Sequence, residues 1–213
     1  MEIEVWADVV CPWCYIGRRR LEKAIAQFDG PGPVEVVYRS FELDPGAPTH
    51  SDMSLDQMLA AKYGLSEVEA HTMNERVTKT AAAEGLEFHL DLARPTNTLA
   101  AHRLLQLATV RHLRPSVEER FLKAYFTEGA SLADPPTLLR LALEGGLKDN
   151  DVRRVLAGQA FTLQVRRDET EAAALGADGV PFFLFDRVRT VSGAQPVEFF
   201  RNVLAMVGGQ HSP

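Results

Sequence analysis

Glu2 to Ala7 alternates in character, with Ile3, Val5 and Ala7 on one side, which is the period of two expected of a strand. From Trp13 to Phe28 the spacing lengthens. Ile16, Leu21, Ala24, Ile25 and Phe28 fall near one helical face. Asp29-Gly30-Pro31-Gly32-Pro33 is a run of strong breakers that ends that helix. Val34 to Leu43 reads as a second strand, through Val34, Val36, Val37, Tyr38 and Phe41, and Asp44-Pro45-Gly46-Ala47-Pro48 closes it. Strand, helix and strand in this order predict parallel strands joined by a right-handed crossover.

A long helical stretch follows. Its predicted helices are Leu55 to Tyr63, Glu67 to Glu84, Thr98 to Leu113, Val117 to Glu128, Thr137 to Glu144, Asp151 to Leu156 and Phe161 to Leu175. Ser54, Ser66, Asn97 and Ser116 are preferred N-cap residues at four of these starts. Ser66 with Glu69, and Ser116 with Glu119, have capping-box spacing. Strands return at Pro181 to Phe185 and Val188 to Val191, on either side of the turn-like Asp186-Arg187. Ser192-Gly193-Ala194-Gln195-Pro196 leads into a last helix, Val197 to Val207, which Gly208-Gly209 ends. The layout is βαβ, a helical block, then ββα. It predicts an α/β protein with residues 1–45 and 158–213 in one domain and residues 46–157 in a helical insertion.

Composition narrows the function classes. The 213 residues carry 23 basic and 29 acidic side chains, a net charge of −6, which disfavours a nucleic-acid binder. Hydrophobic and charged shares of 46% and 24% are those of a globular chain. Glu2, Glu4 and Asp8 stand where a signal peptide needs basic and then apolar residues. The longest obvious apolar run, Val180 to Phe185, is far short of the roughly 18 residues of a membrane span. The expectation is a soluble cytoplasmic protein with neither nucleic acid nor membrane as partner.

A chain of this length can bury about 70% of its unfolded surface, so it needs no disulfide to hold a core. It has two cysteines, Cys11 and Cys14, too few for a disulfide scaffold or a four-cysteine zinc site. Cys11-Pro12-Trp13-Cys14 sits where a strand hands over to a helix. With Cys11 at the N-cap, Pro12 takes the first helical position, where its missing N–H costs nothing. The Cys11 sulfur is then expected to accept from the Trp13 and Cys14 amides. These bonds and the helix dipole favour thiolate over thiol at Cys11. Cys14, one turn on, is expected to be the more shielded. An attacking and a resolving thiol follow, able to form a mixed and then an internal disulfide. Zinc needs two further ligands, and no two of His50, His71, His89, His102, His112 and His211 lie three to five residues apart. No metal is expected.

Several segments together resemble one family. They are Asp8 to Gly17, Arg39 to Pro45, Asn97-Thr98 with His102-Arg103, Gly179 to Phe183, and Val191 to Gln195. Their residues and order resemble the FrnE-like members of the DsbA family. The resemblance implies a thioredoxin fold with a large all-helical insertion, and a thiol–disulfide oxidoreductase, including reductase or isomerase activity. It implies that Val180-Pro181 carries a cis-proline facing the pair, which exposes the Val180 backbone to an extended substrate. It implies that Pro12 and Trp13 tune the reduction potential. The implied partners are protein or peptide thiols and disulfides, recycled by glutathione or a thioredoxin-like reductant. No tightly bound cofactor is implied, with glutathione at most a co-substrate. The chain is expected as a monomer or a homodimer. The wider superfamily includes glutathione-dependent isomerases and transferases of small molecules, which carry serine where this chain has Cys11. That activity, and a non-catalytic holdase, are the alternatives. The second, C-terminal cysteine pair of some relatives is absent here.

Around the pair, Asp8 reads either as a carboxylate base for Cys14 or as a polar strand end. Arg18-Arg19-Arg20 reads as a solvated helix face. His102 reads as structural or surface, with a direct role in the chemistry as the alternative. Trp13 is expected as apolar cover beside the site. Met53, Met58, Tyr63 and Met73 are expected in core packing, or lining an apolar groove for unfolded or peptide substrates.

Overall fold

The computed structural model describes residues 1–30 and 32–209. Pro31 of the predicted breaker run and His211 of the weighed histidines lie outside the described residues. In chain order the elements are β1 Glu2–Ala7, α1 Pro12–Ala26, β2 Glu35–Ser40, α2 Leu55–Tyr63, α3 Glu67–Ala83, α4 Leu99–Val110 and α5 Arg114–Phe126. They continue with α6 Pro135–Glu144, α7 Asp149–Ala157, α8 Thr162–Ala174, β3 Phe182–Phe185, β4 Arg189–Ser192 and α9 Val197–Gly209. The chain divides into two compact units, Met1–Leu43 with Arg167–Pro213, and Asp44–Arg166.

The first unit carries one sheet in the order β2-β1-β3-β4. β1 and β2 are parallel, as the βαβ reading predicts, and the other pairs are antiparallel. This is the thioredoxin arrangement. Ile3, Val5, Phe183 and Phe185 pack on one face against Leu21 and Ala24 of α1 and Phe200, Val203, Leu204 and Val207 of α9. Trp6, Phe182 and Leu184 pack on the other against Ala172 of α8.

The alternation in β1 therefore separates two buried faces, not a buried face from water. Glu4 is buried on the α8 side and needs partners, because an unpaired buried charge costs several kcal/mol. The Arg39 Nε donates to its carboxylate at 2.9 Å, and Arg187 lies at 2.8 Å. Trp6 Nε1 donates to the Asp168 carbonyl at 2.8 Å.

β2 stops at Ser40, short of the predicted Leu43. The amides of Ser40, Glu42 and Leu43 donate to the carboxylates of Asp168, Glu169 and Asp8, at 2.8, 3.1 and 2.8 Å. Side chains thus take over from the strand ladder. Asp186 and Arg187 both sit at positive φ, 43° and 57°, and the Val188 N–H donates back to Phe185 at 2.9 Å. These are features of a type I′ turn, which glycine or asparagine usually fills. Here side-chain contacts offset the strain: Asp186 accepts the Glu2 N–H at 2.6 Å, and Arg187 bridges Glu4 and Glu171.

In the second unit, Ser54 with Gln57 and Ser66 with Glu69 form complete capping boxes on α2 and α3. Two predicted caps are corrected. The N-cap of α4 is Thr98, not Asn97; the Asn97 side-chain oxygen accepts from the Leu99 N–H at 3.0 Å, and its amide donates to the Pro45 carbonyl at 3.2 Å. α5 begins at Arg114, which places Ser116 inside the helix. His112 at φ 56° and the return of the Leu113 N–H to Ala108, at 2.8 Å, reverse the chain earlier than expected. Pro115 in the first turn is the start signal.

Arg103 on α4 is buried and closes the carboxyl end of α7. It donates to the Ala160 carbonyl at 2.8 Å, to Gly158 at 2.6 Å, and to Val155. Charge-assisted bonds contribute about 1.5–3 kcal/mol each, so Arg103→Met is expected to lower stability by about 3 kcal/mol in urea denaturation. A loss below about 0.5 kcal/mol would show that water replaces the guanidinium without cost.

Candidate active site

After β1 the chain turns through Asp8-Val9-Val10, and the Cys11 N–H donates to the Asp8 carbonyl at 3.2 Å. Cys11 is extended, at φ −89° and ψ 113°, and occupies the N-cap of α1, with Pro12 at the helix start. The Cys14 N–H donates to the Cys11 carbonyl at 3.0 Å and closes the first turn. The two free cysteines pack together with Ala7, and Val180 lies against them.

One expectation fails in detail. The Cys11 sulfur accepts no capping bond. Its thiol instead donates to the Val180 carbonyl at 3.4 Å. A thiol is a weak acceptor, and a carbonyl within reach offers its hydrogen a better partner than the helix amides offer its lone pairs. Both cysteines are buried, Cys11 at 3% and Cys14 at 5% exposure, with Val180 packed against the pair.

Burial pushes the Cys14 thiol well above its usual range, and the hydrogen bond and charge of Cys11 push the same way. A backbone bond at Asp8 opposes this, while the Asp8 charge adds to the rise. Asp8 is itself buried, just beyond the end of β1. One of its oxygens accepts the Leu43 N–H at 2.8 Å. An acid and two thiols thus share one dry corner.

Val180-Pro181 is a cis peptide. Pro181 is buried just before β3, and the Gly193 N–H donates to its carbonyl at 2.8 Å. Arg20 of α1 donates to the neighbouring Ala194 carbonyl at 2.7 Å. Gly17 of α1 leaves little room for a side chain. A Cβ there would meet Pro181 Cγ at 3.2 Å and both Ala194 Cβ and Phe183 Cζ at 3.3 Å. The sequence alone does not foresee this role for Gly17 and Gly193-Ala194. The available signal was a glycine inside a helix, which costs about 1 kcal/mol unless packing needs it.

The arginine run is not a solvated face. Arg18 is buried over the Tyr38 ring, at 5.3 Å, with Glu22 at 2.9 Å, and Arg20 holds the Ala194 loop. Tyr38 on β2 gives the Arg18 guanidinium an aromatic seat, which charge counting does not foresee. Trp13 is 40% exposed, so its ring is partly open to water. Pro12 is half-buried.

His102 is fully buried on α4, in the second unit. Met53 and Tyr63 are exposed, and Met58 and Met73 only half-buried, against the expectation of core packing. α2 and α3 bury Ala60, Ala70, Val77 and Ala81 instead. Among the described residues no group of three or more His, Cys, Asp or Glu is placed to hold a metal ion. No helix of the described residues is long and apolar enough to cross a membrane.

The sheet order, and the cysteine pair opening α1 beside the chain that enters β3, define a thioredoxin-fold domain of the CxxC class. The chain belongs to the DSBA-like thioredoxin domain family, whose model matches residues 2–205. It is similar to SCO1869 of Streptomyces coelicolor, whose crystal structure is described as that of a probable DsbA oxidoreductase. Identity is 44% and TM-score 0.94, over 100% of this chain and 92% of that one. The cytosolic disulfide reductase DsbM of Pseudomonas aeruginosa, solved with GSH, shares the fold at 19% identity and TM-score 0.66, over 97% and 98% of the two chains. The uncharacterized protein YwbO of Bacillus subtilis (strain 168) is 26% identical over 208 residues, 96% of each chain.

Two outcomes follow from the packing. Gly17→Val forces α1 away from Pro181 and is expected to cost about 1–3 kcal/mol, read by chemical denaturation. Gly17→Ala is expected to cost less, since better helix propensity returns about 1 kcal/mol. Wild-type stability of Gly17→Val would contradict the close approach. In Cys11→Ala protein, alkylation of Cys14 is expected to accelerate only above the free-thiol value of about 8.5, and near that value in the urea-unfolded chain. The same inflection in both states would remove burial as the cause.

Proposed function

We propose that the protein is a thiol–disulfide oxidoreductase of the FrnE-like kind, acting on protein or peptide disulfides in the cytoplasm. The observation that carries the reading is the packing of two free thiols, one helical turn apart, with a buried carboxylate beside them. Cys11, as thiolate, attacks a substrate disulfide. A bond forms between Cys11 and one substrate sulfur, and the other sulfur leaves as thiolate. Cys14 stays protonated until this point, because burial holds its proton. Asp8 then takes that proton as general base, and Cys14 attacks the Cys11 sulfur. The internal disulfide forms, the second substrate thiolate leaves, and two electrons have passed to the substrate. Glutathione or a thioredoxin-like reductant returns the pair to the dithiol. With an oxidised pair the same steps run in reverse or rearrange disulfides. Pro12 and Trp13, between the sulfurs, set the potential. The Val180 backbone before Pro181 meets the substrate.

The test is trapping with a disulfide-bonded protein such as insulin. Cys14→Ser is expected to accumulate a mixed disulfide, and Cys11→Ser none. Insulin reduction is expected to fall at least about a hundred-fold in Cys11→Ser, the scale of losing a nucleophile. Equal insulin reduction by wild type and both variants would sink the reading. Turnover of a small molecule with glutathione that survives Cys14→Ser would replace it with an isomerase or transferase.

A further inference from the structure

Of the three consecutive arginines on α1, Arg18 and Arg19 pair with Glu22 of their own helix, at 2.9 and 2.8 Å. Arg20 reaches out of the helix instead. Its Nη1 donates to the Ala194 carbonyl at 2.7 Å, across 174 residues of sequence. Residues three apart share a helix face, so Cys14, Gly17 and Arg20 form one line along α1. At Gly17 that line comes so near the loop that a methyl group would meet Pro181 at 3.2 Å and Ala194 at 3.3 Å. Within the loop, the Gln195 side-chain amide donates to the Ser192 carbonyl at 2.8 Å, and the Gly193 N–H donates to the Pro181 carbonyl at 2.8 Å. Val180, the next residue back along the chain, accepts the Cys11 thiol at 3.4 Å. A closed ring of contacts results. It leaves α1 at Arg20, passes through Ala194, Gly193, Pro181 and Val180, and returns to α1 at the reacting sulfur.

We propose that Arg20 is a positioning residue for the cysteine pair: by holding Ala194 it keeps the Val180 carbonyl on the Cys11 thiol, and so favours the dithiol form. The inference rests on the redox reading of the pair. Oxidation by glutathione disulfide forms one S–S bond between Cys11 and Cys14 and breaks the one in the oxidant. The two electrons and both protons end on two glutathione thiols. The Cys11 hydrogen that Val180 accepted is then gone, so this bond stabilises the dithiol alone. Whatever holds the carbonyl in reach shifts the exchange toward the reduced pair. A guanidinium suits the task, because a charge-assisted bond to a carbonyl is stronger than a neutral one and resists small movements of the loop. Without it, the loop can withdraw from α1, the thiol loses its acceptor, and the equilibrium moves toward the disulfide.

The test is the dithiol–disulfide equilibrium in buffers of reduced and oxidised glutathione, with the oxidised fraction read by mass spectrometry after acid quenching and alkylation. Wild type is compared with three variants. Arg20→Met keeps an apolar stem and removes the donor. Arg20→Lys keeps a donor, and one carbonyl needs only one. Arg19→Gln removes the same charge one position away and leaves Arg20 on Ala194. Leu21 and Ala24, which pack α1 on the sheet, are untouched in all of them. Arg20→Gln, too short to reach Ala194, takes the place of Arg20→Met if that variant does not fold. The equilibrium constant for oxidation is expected to rise about three-fold in Arg20→Met, within the worth of one modest hydrogen bond. It is expected to stay at the wild-type value in Arg19→Gln and to return toward it in Arg20→Lys. A lowered urea midpoint with an unchanged constant in Arg20→Met would show a purely structural arginine and overturn the proposal. An equal rise in Arg19→Gln or in Arg20→Lys overturns it too. If wild type titrates and Arg20→Met matches it, only the role of Arg20 falls. A wild-type pair that stays reduced at every glutathione ratio removes the redox reading, and the proposal with it.

Discussion

How near α1 comes to the chain entering β3 decides what the two thiols can touch. The approach is set at Gly17, where the helix backbone lies so near Pro181, Ala194 and Phe183 that a methyl group would meet them at 3.2–3.3 Å. One turn before that point stands Cys14, and another turn back Cys11. Two bonds fix the other side of the contact. Gly193 holds the Pro181 carbonyl, and Arg20 holds Ala194. A helix and a loop that are far apart in sequence are thus clamped, and the Cys11 sulfur is left within reach of the Val180 carbonyl. Close packing transmits small displacements, so the geometry of the pair inherits whatever happens at Gly17.

The electrostatics of the site follow from the same enclosure. In water, a carboxylate and two thiols would ignore one another. In the dry corner formed by Ala7, Val180 and the start of α1, they are coupled, and the charge of one raises the cost of charging the next. The proposed exchange needs a single negative charge that moves between sulfurs. An enclosure that resists two charges at once enforces that order. β1 supplies the foundation. Glu4 is fixed by Arg39 and Arg187, and Trp6 by the Asp168 carbonyl, so the strand that ends in Asp8 is anchored on its second face as firmly as on its first.

Much of the fold was legible. β1 and α2 run over the predicted residues, the Ser66–Glu69 capping box forms, and the βαβ–helices–ββα order holds. These features depend on local chemistry: period, caps and breakers. The misreadings share a cause. Cys11 was assigned a local bond to its own helix, and the long-range carbonyl of Val180 won it. Arg18 was read by charge alone, and the Tyr38 ring gave it a seat inside the molecule. β2 was read to Leu43 by its apolar pattern, and three carboxylates took its last amides. Ser116 had the right spacing for a cap, and the turn at His112 brought the helix in earlier. Where a polar group has two candidate partners, one near in sequence and one near in space, the sequence names only the first. The cysteine pair was legible because its spacing is itself the local chemistry. The surroundings that position it, Gly17 and the Ala194 loop, were not.

The central claim is that Cys11 and Cys14 exchange reversibly between dithiol and disulfide within an intact fold. The direct measurement is the fraction oxidised as a function of the ratio of reduced to oxidised glutathione, with circular dichroism recorded at each point. The account predicts a single two-electron transition, in which a tenfold change in the equilibrium corresponds to about 30 mV, with the native spectrum at both ends. A pair that stays reduced at every poise, or one that oxidises only as the fold is lost, would contradict it.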